Sequence, residues 1–352
     1  MIVHKEILKN IFQGTPPQFL TKAEIHLTNQ CNYRCEFCFL HSPLLAESHK
    51  KSSMPGAQAL KIVKDLVRFG VKEICLTAMG EPSYHPDFIG LVNFIKDKGV
   101  VLSTFTNLSA VSPKILEAYM RMDRLSVNLS AVDALSYRSV HAPKNRVAFS
   151  HVLKNIRMAV QAKHPRIELV FIITKNNFRD IGKALELACF LGVERIKFKM
   201  IIKGPQDLHL DKAKVVELLR EIDRLLGIPA SIHSNLSDLR AELLSPDNVC
   251  VSFRRCFVGY LRLRILDDGG VVFCCLNNVM RVGNWKKESM GQIWNGVKAQ
   301  RWRILGRDEL GSGCLSWENC HSCNFARDNA AIGTAYESFL DAKDARMMEK
   351  KE

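Results

Sequence analysis

Long apolar runs are missing from this chain. The longest, such as Leu169–Ile173, are far too short to cross a bilayer. The first fourteen residues carry His4, Lys5, Glu6 and Lys9 inside their apolar stretch, which argues against an export signal as well. Blocks of like charge are also missing. The 50 Lys and Arg outnumber the 36 Asp and Glu, for a net charge of +14, but they are spread along the chain apart from the mixed tail that starts at Asp341. Such a surface suits anionic partners in general, and nucleic-acid binding gains no support from charge that is never gathered into one patch. Internal repeats and low-complexity segments are absent too. What remains is a globular chain of 352 residues, 47% hydrophobic, able to bury a large core. No membrane association is expected, and a cytoplasmic location is. There, twelve cysteines read as metal ligands or reactive thiols rather than disulfides.

Between residues 23 and about 203, short runs rich in Val, Ile, Leu and Phe alternate with helical periodicity. The strand candidates start at Ala23, Val71, Val100, Arg124, Ile167 and Arg195. Between them lie amphipathic segments, for example Leu60, Val63 and Val67, or Ile181, Leu185, Ala188 and Leu191. Gly70, Gly99 and Gly192 stand where left-handed helix caps belong. Six alternations imply an α/β fold with a parallel sheet, either a partial barrel or an open doubly wound sheet. In both, chemistry gathers at the carboxyl ends of the strands. A further helix is expected from Asp211 to Leu226, within a linker region at 206–248. The segments expected are a lead at 1–20, a first domain at 21–205, a cysteine-rich second domain at 249–328 and a helical charged tail at 329–352.

Directly after the first strand, Cys31, Cys35 and Cys38 are spaced C-x3-C-x2-C, and no fourth cysteine follows until Cys75. A structural zinc site is usually closed by four ligands, so the missing local partner counts against zinc. A four-iron cluster held by three thiolates leaves one iron open to bind a substrate.

This loop, with Phe37 before its last cysteine, resembles the cluster loop of the radical SAM enzymes, a resemblance that nominates Phe37 as a cofactor contact. The resemblance implies a partial (β/α)6 TIM barrel whose [4Fe-4S] cluster is held by Cys31, Cys35 and Cys38. S-adenosyl-L-methionine would occupy the open iron and be split by one electron to methionine and a 5'-deoxyadenosyl radical. It also implies an electron donor such as flavodoxin or ferredoxin. "TAMGEP" follows the second strand where the family has a Gly-Gly-Glu motif, which nominates Gly80 and Glu81 for the cofactor's amino group, with Met79 in place of the first glycine. "VNLSAVD" ends the fourth strand and nominates Asn128 and Ser130 as cofactor contacts. In isolation, "GEP" reads equally as an ordinary turn.

Seven of the twelve cysteines fall between Cys250 and Cys323. Cys256, twelve residues, Gly269, four residues and Cys274 are similar to the opening of the SPASM domain, and Cys320 with Cys323 to its closing pair. That resemblance implies a cysteine-rich SPASM or twitch-like domain at the C-terminus. Cys256, Cys274, Cys320 and Cys323 would then hold one auxiliary [4Fe-4S] cluster. Cys250, Cys275 and Cys314 remain unassigned. A zinc ribbon is the plain alternative for the region. Cys275, Cys75 and Cys189 read as small buried hydrophobes, with Cys275 also a candidate hydrogen-atom donor to a substrate radical.

The resulting expectation is an oxidoreductase that abstracts a hydrogen from a small polar substrate, such as a sugar or aminocyclitol, with the auxiliary cluster accepting the second electron. The alternative is a maturase that crosslinks, epimerises or oxidises a ribosomally made peptide. A third reading, of another class, is a non-catalytic iron-sulfur or zinc binding protein.

Overall fold

Apolar runs without polar alternation make stable strands only when both faces are covered. The computed structural model describes residues 5–45, 50–109, 112–144, 147–162, 166–202, 204–228, 232–244, 255–274, 280–308 and 325–348. In chain order its elements begin α1 (Lys5–Gln13), β1 (Lys22–His26), α2 (Gly56–Arg68), β2 (Glu73–Thr77), α3 (Phe88–Asp97), β3 (Val101–Thr106), α4 (Pro113–Met120) and β4 (Arg124–Asn128). They continue with α5 (Ala134–His141), α6 (Phe149–Gln161), β5 (Ile167–Ile173), α7 (Ile181–Leu191), β6 (Arg195–Met200), α8 (Lys212–Leu226), β7 (His233–Ser234) and α9 (Leu236–Leu244). The last are β8 (Arg262–Ile265), β9 (Gly270–Val272), β10 (Gly283–Asn284), α10 (Met290–Asn295), α11 (Val297–Asp308) and α12 (Ala326–Met348). The chain divides into one compact unit of residues 25–60 and 74–244, and another of residues 1–24, 61–73 and 245–352.

In the first unit the strand order is β1-β2-β3-β4-β5-β6-β7. The pairs from β3 to β7 are parallel, with Leu125 opposite Ile167 and Phe171 opposite Phe198. This is the expected α/β architecture of a partial barrel. Helix α6 shows how the sheet is covered, since Val152, Ile156 and Ala159 repeat at helical spacing and are all buried. Gly70, Gly99 and Gly192 have φ of 81°, 69° and 72°, the left-handed values that end a helix most easily at glycine. Asp211 caps α8 by accepting from the Lys214 N–H at 2.9 Å.

Two differences from the sequence reading stand out. Residues 206–248, expected as a linker with one helix from Asp211 to Leu226, hold that helix as α8 and add α9 and the two-residue strand β7, too short to leave an apolar run. Helix α5 is not foreseen either. Its eight residues carry little apolar periodicity, and it is defined instead by a capping box between Asp133 and Ser136.

The second unit is built differently. Strands β8, β9 and β10 form an antiparallel meander. Helix α1, within the segment expected as a lead, buries Ile7 and Ile11 against Phe257, Tyr260, Leu261, Ile332 and Tyr336. Arg303 is fully buried, donates to the carbonyls of Gly259 and Trp294 at 2.8 and 2.7 Å, and lies 4.3 Å from the centre of the Trp294 ring. Burial holds its guanidinium down at about 10. Among the described residues no helix is long and apolar enough to cross a membrane.

Glu24 is the buried acid of this unit. It accepts from Arg264 Nε at 2.9 Å, with Arg262 at 3.9 Å. Burial alone would raise its carboxyl, but Arg264, Lys22 and Arg262 outweigh it and hold the group below its ordinary value. The stability it contributes is therefore present above the unfolded value of about 4.3 and is lost as pH falls through the lower folded value. Glu24→Gln is expected to cost about 3 kcal/mol, the low end for breaking a buried ion pair, read at pH 7 as a lower urea midpoint. The gap between variant and parent should close in acid.

Candidate functional site

The loop after β1 has no regular structure, so its backbone groups must find partners elsewhere. They find them at the ends of neighbouring strands. Met79 and Gly80 donate to the Thr28 carbonyl at 3.1 and 3.3 Å, and Glu81 N–H donates to the Gln30 carbonyl at 2.8 Å. The approach is so close that a Cβ on Gly80 would sit 2.0 Å from the Gln30 oxygen. Met79, by contrast, has no left-handed φ, so a methionine fits there without backbone strain.

Further along the loop, Arg34 N–H donates to the His141 carbonyl at 3.3 Å and Glu36 N–H to Val140 at 2.8 Å, which pairs the loop with the end of α5. Asn32 accepts from Asn107 at 2.9 Å and donates to Ser109 at 2.7 Å. The buried Glu36 carboxylate accepts from Thr174 at 3.1 Å and Asn176 at 2.9 Å, past the end of β5.

These contacts bring Cys31, Cys35 and Cys38 together with N–H groups aimed at sulfur. Tyr33 N–H meets Cys31 Sγ at 3.4 Å, and Leu40 and His41 N–H meet Cys38 Sγ at 3.4 and 3.2 Å. Cys35 Sγ lies 3.3 Å from His141 Nδ1. Burial pushes the Cys31 thiol up to about 12, with Glu81 adding to the rise, and burial also raises Cys35 and Cys38. Thiols held so high are poor nucleophiles at neutral pH. Metal coordination is the chemistry that would deprotonate them, and amide donors then stabilise the resulting thiolates. Among the described residues no three His, Cys, Asp or Glu side chains converge on one metal ion. The donor set suits a cluster that gives each sulfur its own iron, so the residues present fit an iron-sulfur group.

The other candidates lie around this loop. Glu81 is buried, and Oε1 accepts from Thr106 at 2.7 Å, from Ser83 at 3.3 Å and from the Tyr119 hydroxyl, while Oε2 accepts from Asn107 N–H at 2.8 Å. Burial raises its carboxyl even against these donors. With so many groups of the chain on its side chain, Glu81 fixes the turn, and contacts to a ligand's amino group would fall mainly to main-chain carbonyls. Ser130 is fully buried, with its hydroxyl on Asn128 Oδ1 at 3.3 Å and accepting from Ile172 N–H at 2.9 Å. Phe37 sets its ring edge-on to His141, 5.8 Å between centroids.

His141, Asn32, Asn107 and Glu36 were not anticipated from sequence. The Asp133 and Ser136 capping box marks where the helix that carries His141 starts, and no local signal points from it to the cysteine loop. Burial pushes the His141 imidazole down to about 3.

In the other unit, Cys256 and Cys274 are partly buried, and Cys256 Sγ accepts from Asn329 at 3.7 Å. Cys320, Cys323 and Cys275, like Cys250 and Cys314, lie outside the described residues. Cys75 is buried in β2, whereas Cys189 is exposed on α7, against the expectation of a buried residue.

The chain matches the model of the Radical SAM superfamily over residues 25–188 and that of SPASM, an iron-sulfur cluster-binding domain, over residues 256–324. It is 25% identical over 206 residues to a probable GTP 3',8-cyclase of Sulfurisphaera tokodaii, covering 57% of this chain and 62% of that protein. It is 29% identical over 178 residues to an S-adenosylmethionine-dependent nucleotide dehydratase of Selenomonas ruminantium, covering 47% of this chain and 63% of that one. The matches thus span less than two thirds of either relative's length. In fold it resembles SuiB of Streptococcus suis bound to its precursor peptide SuiA, with a TM-score of 0.65, 14% identity, and coverage of 92% of this chain and 74% of SuiB.

Gly80→Ala must push the turn off the Gln30 carbonyl, which is main chain and has little room to yield. A cost of about 3 kcal/mol is expected, the upper end for overpacking, together with lower iron retention after anaerobic reconstitution. Met79→Gly should leave both nearly unchanged. Iron per chain and the denaturation midpoint of the two variants test the contrast.

Proposed function

We propose that this chain, which matches the radical SAM superfamily model over residues 25–188 and the SPASM iron-sulfur domain model over residues 256–324, is a radical SAM enzyme that abstracts hydrogen from a small polar substrate and oxidises it. The observation that carries the proposal is the loop of Cys31, Cys35 and Cys38, with main-chain N–H donors on the first and third sulfurs, an imidazole nitrogen against the second, and no fourth cysteine nearby in sequence. When bound there, a four-iron cluster and S-adenosylmethionine supply a 5'-deoxyadenosyl radical that takes a hydrogen from carbon.

The chain's own residues have other tasks. Cys31, Cys35 and Cys38 hold the cluster and leave one iron open. The turn of Met79, Gly80 and Glu81, tied to residues 28–30, offers main-chain groups to a cofactor's amino group. Asn128, partly exposed at the end of β4, would be a cofactor contact. Phe37 and the surrounding aromatic rings help keep water from the cysteine loop. In the other unit Cys256, Cys274, Cys320 and Cys323 would hold the auxiliary cluster as electron acceptor. Cys275 is left as a possible hydrogen-atom donor, a role that oxidation does not require.

Charge and kinship support a substrate class. A net charge of +14 favours anionic substrates. Two relatives are named for reactions on nucleotides. Nucleotides are therefore the first substrates to try, then phosphorylated sugars and aminocyclitols. A flavodoxin or ferredoxin would deliver the electron. A second reading, peptide maturation, has in its favour that SuiB was solved with a precursor peptide.

Anaerobic reconstitution should give about eight irons per chain and slow release of 5'-deoxyadenosine with reductant and S-adenosylmethionine. Changing Cys31, Cys35 and Cys38 together to Ala should leave about four irons and abolish that release. Zinc as the sole metal, or iron indifferent to S-adenosylmethionine, would overturn the proposal. Among candidate substrates, the one that accelerates 5'-deoxyadenosine formation separates the nucleotide, sugar and peptide readings.

A further inference from the structure

We infer that His141 is a positioning residue that donates its Nδ1–H to the Cys35 thiolate and raises the reduction potential of the cluster bound by Cys31, Cys35 and Cys38. The inference rests on the cluster assignment made above and concerns this chain's own donor to it.

The tautomer follows from the neighbours. Ser130 N–H donates to His141 Nε2 at 2.9 Å. A backbone amide can only donate, so Nε2 must carry its lone pair. The proton of the neutral ring is then on Nδ1, which lies 3.3 Å from Cys35 Sγ. A protonated ring would set a second N–H against the amide of Ser130 inside the protein.

The ring has no freedom to leave. Its centroid is 5.8 Å from Tyr33, 5.8 Å from Phe37 and 5.3 Å from Tyr137. Main-chain bonds from Arg34 and Glu36 fasten the end of α5 to the loop that carries Cys35. Ala142, with φ of 39°, caps the helix immediately after the histidine.

Cys35 also differs from its two neighbours. Among the described residues Cys31 and Cys38 receive main-chain donors alone, whereas Cys35 is met by a side chain. Reduction adds one negative charge to the cluster, and a donor to sulfur stabilises the more negative state. Removing the donor should therefore make the cluster harder to reduce. Ser130 enters through this bond, since its amide selects the tautomer.

The test uses the full chain, anaerobically reconstituted, as parent, His141→Phe and His141→Gln. Electron paramagnetic resonance during a redox titration follows the signal that changes on adding S-adenosylmethionine, which separates this cluster from an auxiliary one. At a fixed potential, His141→Phe should lower the ratio of reduced to oxidised cluster about tenfold, or 59 mV for a one-electron couple. His141→Gln, which keeps an N–H, should recover most of that shift at equal iron content. A His141→Phe potential equal to the parent's, or a His141→Gln shift as large as that of His141→Phe, would overturn the inference. If His141→Phe holds no iron, the parent labelled with 15N-histidine decides: coupling of 15N to the reduced cluster supports the bond, and its absence overturns it. Failure of the cluster assignment would look different, since the parent itself would then give no signal sensitive to S-adenosylmethionine.

Discussion

Three thiols that burial alone would keep protonated set the terms for the residues around them. A charge placed in that setting is best met by donors already in position, since partial burial weakens its hydration. The loop answers with amides of its own at Cys31 and Cys38 and with a histidine from another element at Cys35. The parallel sheet matters because it brings the ends of β1, β2, β3, β4 and β5 to one edge. From beyond those ends Glu81, Asn107 and Thr174, and from the end of α5 His141, reach the loop of Cys31, Cys35 and Cys38 or the segment that precedes it.

Part of this was legible in the sequence, and the division has a physical basis. The three cysteines and the Met-Gly-Glu stretch are local signals, fixed by spacing within a few residues. The six strands were legible too, since burial on both faces leaves continuous apolar runs such as Leu169–Ile173. The supporting network was not. Its bonds join residues far apart in sequence: 77 positions for Asn32 and Ser109, 106 for Cys35 and His141, and 140 for Glu36 and Asn176. Nothing in the composition of either partner announces such a bond. Helix α5 was missed for a related reason, being defined by its cap and its left-handed end more than by an apolar stripe.

Glu81 illustrates how structure refines a motif. Its presence after Gly80 is legible as part of a family pattern, but its task is set by neighbours that no local pattern contains. Thr106, Asn107 and Tyr119 all donate to it, so the acid acts as the keystone of the turn. Ser130 is similar. Its place at the end of β4 was foreseen as a cofactor contact, and the structure finds its amide on an imidazole and its hydroxyl within the sheet's edge.

The cysteine loop borrows nearly all of its shape from strand ends and from α5, through bonds that the chain makes with itself. Ordering the loop is thus tied to folding of the first unit, so that a change at Asn107 or Thr174, far from any of the three cysteines in sequence, would loosen the loop as surely as one beside Cys35.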